Sequence, residues 1–131
     1  MDLELLNGRL SICRLHPASP FPEWVAAAPG FTSITRTPDE LSIVCDECSV
    51  PPGVLSESGW RIFKIQGPLD FTLTGVLASI AEPLARAGIA IFAISTFDTD
   101  YVMAKESVVP AAIQALIAAG HRVAPFVSGH N

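Results

Sequence analysis

Residues 60–105, WRIFKIQGPLDFTLTGVLASIAEPLARAGIAIFAISTFDTDYVMAK, decide the fold. Trp60–Gln66 has the β-branched and aromatic content of a strand. Leu73, Val76, Leu77, Ile80 and Leu84 then recur at the spacing that gathers apolar side chains on one helix face, and Gly88 supplies the stop. Pro83 falls inside this helix and removes one backbone donor, so a kink or break is expected near it. Ile89–Thr96 is a continuous apolar run, the pattern of a strand covered on both faces, and Tyr101–Glu106 reads as the next strand. Further on, Ser107 is placed to cap a helix over Val108–Ala119, with Pro110 tolerated in its first turn and Gly120 ending it. Arg122–Ala124 forms a last strand. The order β-α-β-β-α-β is the split βαβ, ferredoxin-like arrangement, with both helices on one face of an antiparallel sheet.

Upstream, Asn7-Gly8 lies between the apolar stretches Leu3–Leu6 and Leu10–Leu15, a strong hairpin signal. A Pro-rich connection from His16 leads to a short helix over Glu23–Ala28, which Pro29-Gly30 ends. Phe31–Arg36 and Leu41–Cys45 read as two strands joined by a Pro-containing turn. Asp46–Gly59, with Pro51-Pro52-Gly53, reads as a linker. The first half thus follows a similar order without a second helix. The expected fold class is α+β: two ferredoxin-like units packed together, a truncated one with its linker over 1–58 and a complete one over 59–131.

Half of the 131 residues are hydrophobic and the mean hydropathy is +0.43. A chain of this kind buries a sizeable core and has apolar surface left for a partner subunit. A net charge of −5 without a Lys/Arg cluster argues against nucleic acid and anionic membrane as partners. The acidic opening Met1-Asp2-Leu3-Glu4 is unlike a secretory signal, and no apolar run approaches the ~20 residues of a membrane helix. Three cysteines, an odd number, fit reduced thiols and a cytoplasmic location.

Two joints carry the polar chemistry. The first, Gly67 to Gly75, links a strand to a helix, so N–H groups of the first helical turn point out of the sheet end and attract an anion such as a carboxylate. Gly75 permits close approach of a ligand. The plainer reading is that Asp70 or Thr72 merely caps the helix. The second joint, Ser95-Thr96-Phe97-Asp98-Thr99-Asp100, sets hydroxyls and two carboxylates in a turn. Asp98 and Asp100 suit an ammonium group, and Ser95 and Thr96 suit a carboxylate. The plainer reading here is an Asp/Thr-rich turn bonded to its own backbone. A zwitterionic amino acid matches the two joints together. In the split βαβ order, bringing them together is expected to need a second copy of the unit.

Residues 67–105, GPLDFTLTGVLASIAEPLARAGIAIFAISTFDTDYVMAK, resemble the ACT-domain family, and in particular small tandem-ACT proteins related to aspartate kinase regulatory regions and amino-acid sensors. The earlier TRTPDELSIVC, residues 35–45, is similar to the first-half signature of that group. The resemblance implies two ACT-like units with an amino-acid effector at their interface or at a dimer interface. It points to Asp70, Phe71, Thr72, Gly75, Val76 and Leu77 at the helix start, and to Ser95, Thr96, Asp98, Thr99 and Asp100 in the turn, as ligand-binding residues. It implies a non-catalytic regulatory module, a homodimer through sheet edges or helix faces, and a regulated enzyme or protein partner. No cofactor is expected.

Three rivals come from other residues. Cys45-Asp46-Glu47-Cys48 and Cys13-Arg14-Leu15-His16 offer the ligand set of a structural zinc site, but Cys13 and Cys45 each end an apolar strand, where a small core residue is the simpler reading, so no metal is expected. A hydrolase would recruit Ser95, an Asp and His121 or His130, yet no nucleophile-elbow motif is present and His121 is expected at an exposed or strand-edge position. A protein-interaction subunit with a vestigial pocket is the remaining alternative. Trp24 and Trp60 are expected to anchor the core.

Overall fold

The computed structural model describes residues 1–66 and 75–125. The elements are β1 (Asp2–Leu5), β2 (Leu10–Leu15), α1 (Glu23–Ala26), β3 (Ser33–Arg36), β4 (Leu41–Asp46), a 3-10 turn at Glu47–Ser49 and β5 (Leu55–Ile65). Then follow α2 (Val76–Arg86), β6 (Phe92–Ser95), β7 (Asp100–Lys105), a second 3-10 turn at Glu106–Val108, α3 (Val109–Ala118) and β8 (Arg122–Pro125). The chain divides into two compact units, Met1–Asn7 with Arg61–Asn131, and Gly8–Trp60.

In the larger unit the strands run β8–β1–β5–β7–β6. The succession β5-α2-β6-β7-α3-β8 is the βαββαβ order read from the sequence. β1 is an addition: it is antiparallel to β5, with Leu3 opposite Ile65, and parallel to β8, with Leu3 opposite Val123. Leu3 joins Phe63 and Ile65 in the core, so the first residues of the chain complete this unit. β1 pairs with β5 and β8 and so belongs to the larger unit.

α2 and α3 set Ile80, Leu84, Ala112 and Leu116 against Phe63, Ile65, Val102 and Ala104, all but closed to solvent. α2 stays continuous through Pro83, where a kink or break was expected. α3 begins after the 3-10 turn, with Val108 and not Ser107 at its N-cap, and Pro110 in its first turn. Among the described residues β6 is an edge strand, with alternating half-buried and exposed residues, not the doubly covered strand that its apolar run suggests.

The smaller unit holds β2, α1, β3, β4 and the first part of β5, in the antiparallel order β3–β4–β2–β5. The 3-10 turn at Glu47–Ser49 stands where a second helix would be. The expected linker ends early, because Leu55–Gly59 already belongs to β5. Cys13 faces Ser56 and Leu10 faces Trp60, with a register shift between. Gly59, at φ +83, provides the left-handed conformation that such a bulge needs. Bulge and long strand also explain why Asn7-Gly8 makes no hairpin: β1 pairs with the second part of β5 and β2 with the first, so the two never pair with each other.

The core of the smaller unit is Cys13, Val25, Leu41, Ile43 and Cys45, with Trp24 packed against it. Trp60 is buried as expected. Burial, reinforced by the neighbouring Cys45, pushes the Cys13 thiol up to about 11, and burial likewise raises Cys45. Both therefore stay protonated and inert. Cys48 is exposed, and His16, also exposed, accepts a hydrogen bond from the Ala18 N–H at Nδ1 (3.0 Å). Among the described residues, no group of three or more His, Cys, Asp or Glu side chains is placed to hold a metal ion.

Candidate functional site

The second joint lies beside the end of β5, the strand that leads toward the first. β5 ends at Ile65 and the strand beside it, β7, begins at Asp100, directly after the 96–99 turn. Thr99, nearly closed to solvent, donates its hydroxyl to the Ile65 carbonyl at 2.5 Å. This bond fixes the turn to the strand end that enters the first joint. β7 pairs directly with β5, so the turn that precedes β7 sits beside the exit of β5.

Within the turn, the Thr96 N–H donates to the Thr99 carbonyl (2.9 Å), the Thr96 hydroxyl donates to the same carbonyl (3.0 Å), and the Thr99 N–H reaches the Thr96 hydroxyl (3.4 Å). Both threonines are thus engaged with backbone, as the plainer reading of this segment holds. Ser95 and Asp98 are exposed and Asp100 is half-buried. Among the described residues neither carboxylate has an ion-pair partner. Phe97 projects at the tip, 79% exposed.

At the other joint, Asp70, Phe71 and Thr72 lie outside the described residues. Gly75 is the N-cap of α2 with φ +78, a conformation that suits glycine, and it offers no side-chain oxygen to the first turn. Val76 and Leu77 direct their side chains to the core, so what they present at the site is backbone N–H. The α2 terminus adds the partial positive charge of a helix start.

A residue that the sequence placed at an exposed or strand-edge position proves buried and attached to this helix. His121 is only 8% exposed; its Nε2 lies 2.9 Å from the Ser79 carbonyl, and its Nδ1 lies 3.2 Å from the Met1 amine. Ser79 is four residues before Pro83, and its carbonyl is the acceptor that the proline leaves without a donor. That missing donor is the one signal in the sequence able to lead to His121. The imidazole is engaged at both nitrogens.

The profile described as ACT domain matches residues 55–118, and a second profile, described as an N-terminal domain, matches residues 8–53. The protein Atu0741 from Agobacterium tumefaciens is 40% identical, with a TM-score of 0.90 over 96% of this chain and 93% of that one. The chain belongs to the ACT-domain family. Its architecture is α+β, an ACT domain together with an N-terminal domain. The cytosolic arginine sensor for mTORC1 subunit 1 of Bos taurus is 36% identical over 111 residues, 75% of this chain. The alignment spans 34% of that relative, about a third of its length. The ligand-free regulatory subunit of aspartate kinase from Thermus thermophilus shares the fold, with a TM-score of 0.61 at 16% identity over 86% of this chain. No helix among the described residues is long and apolar enough to cross a membrane.

Proposed function

We propose that this chain is a non-catalytic regulatory module that binds a free amino acid and passes its occupancy to a protein partner. The carrying observation is the Thr99–Ile65 hydrogen bond, which sets the 95–100 turn beside the strand that leads into α2. The helix start offers N–H donors and positive potential to a carboxylate; Asp98 and Asp100 offer acceptors to an ammonium group. Asp70, Phe71 and Thr72 complete the site from the first joint. Family membership and the arginine-sensing relative support the same reading.

The smaller unit is read as a truncated ACT-type unit: its strand order is that of a split βαβ whose second helix has shrunk to the turn at Glu47–Ser49. The module works in the cytoplasm as a homodimer, with a regulated enzyme or other protein as its target.

A thermal-shift screen of the free amino acids, arginine included, tests this function. At least one L-amino acid is expected to raise the melting temperature where its D-enantiomer does not, and Asp100→Ala is expected to weaken that response. No stabilisation by any amino acid at millimolar concentration contradicts the proposal.

A further inference from the structure

α2 begins without the restraint that usually steadies a helix start. Its N-cap is Gly75, which lends no side-chain oxygen to the first turn, and a start without such an oxygen frays more readily. Pro83 also withholds the hydrogen bond that would close on the Ser79 carbonyl. The first turn, residues 76–79, is thus short of a bond at each end.

Ser79 collects the bonds that remain. Its N–H donates to the Gly75 carbonyl (2.9 Å) and its hydroxyl to the Val76 carbonyl (2.7 Å), so it is joined to both residues that open the helix. Its carbonyl takes a third bond, from His121 Nε2 at 2.9 Å. A carbonyl only accepts, so Nε2 carries the imidazole hydrogen and Nδ1 is the acceptor that faces the Met1 amine. His121 is itself held by the backbone around it. Its N–H donates to the Leu116 carbonyl in the last turn of α3 (3.0 Å), and the next N–H, of Arg122, donates to the Met1 carbonyl (3.0 Å).

We infer that His121 is a positioning residue for the amino-acid site. Through Ser79 it holds the first turn of α2 in the orientation from which the free N–H groups meet a carboxylate. The inference rests on the function proposed above and adds to it a residue that acts through Ser79. Donors already aimed when the carboxylate arrives lose less freedom on binding, and the affinity gains accordingly.

Two measurements on the full chain test this role. Without any ligand, His121→Ala is expected to speed amide hydrogen exchange at Ser79 and Ile80 more than at Leu84 and Arg86, beyond the proline. Calorimetric titration is then run with each of the twenty free L-amino acids in turn. Any that binds the wild-type chain is expected to bind His121→Ala about two- to tenfold more weakly. Pro83→Ala in the same chain returns a backbone donor to Ser79, and His121→Gln places an amide N–H where Nε2 stands; each is expected to restore the affinity. Val109→Ala, in the core at the start of α3, is expected to lose stability and keep its affinity. Unchanged affinity in His121→Ala, a loss that neither change restores, or an equal loss in Val109→Ala overturns the inference. A wild-type chain that binds none of the twenty overturns the proposed function instead. Exchange that rises evenly along α2 in His121→Ala overturns the positioning role whether or not an amino acid binds.

Discussion

His121 takes the acceptor that Pro83 frees: its Nε2 lies 2.9 Å from the carbonyl of Ser79, one helical turn before the proline. The helix keeps its proline without leaving that carbonyl unbonded, and the start of β8 is tied to the first half of α2. A hydrogen bond of this kind, only partly shielded from water, contributes about 0.5–1.5 kcal/mol. His121→Ala is therefore expected to destabilise the chain by about that amount. In a Pro83→Ala background, where the backbone itself supplies the donor, the same substitution is expected to cost clearly less. Urea unfolding of the four variants measures the coupling; strict additivity contradicts it.

Thr99→Val removes the hydroxyl that holds the turn to Ile65 while keeping the shape of the side chain. The expected loss is about 1–3 kcal/mol, together with weaker amino-acid binding. Thr99→Ser is expected to retain most of both. Equal behaviour of the two variants in urea melts and calorimetry dissociates the bond from the site.

The Cys13 thiol titrates at about 11 in the folded chain, above its ordinary 9.0, because burial disfavours the thiolate. Between these values the unfolded chain has lost the proton that the folded chain still holds. Stability is therefore complete below pH about 9 and declines as pH rises toward about 11. Urea midpoints across that range are expected to fall, and Cys13→Ala to flatten the fall. A slope unchanged in the variant assigns it to other groups.

Cys48 is exposed, whereas Cys13 and Cys45 are buried. A thiol reagent is expected to modify one cysteine quickly in the folded chain and all three after denaturation. Rapid modification of all three under native conditions contradicts the packing of the smaller core.

The sequence makes the larger unit legible because its apolar periods are long and its glycines and prolines fall at element ends. Helix spacing through Ile80 and Leu84, the strand entering at Trp60 and the polar turn at 96–99 were all readable locally. Strand partners were not. That β1 lies between β5 and β8, and that Asn7-Gly8 joins strands which do not pair, follows from long-range pairing that no local signal encodes. The bulge at Gly59 likewise turned an apparent linker into strand. At the site, residue types were readable, but the Thr99–Ile65 bond and the role of His121 depend on contacts across 34 and 42 positions of the chain.

In the proposed function the start of α2 and the 95–100 turn bind one amino acid between them. Amide chemical shifts of the 15N-labelled chain, followed during titration with the strongest stabiliser, test it most directly. Gly75, Val76, Leu77 and Ser95 through Asp100 are expected to shift together along one binding curve, while the core strand β4 stays still. Shifts confined to other residues, with these positions unmoved at saturation, would contradict it.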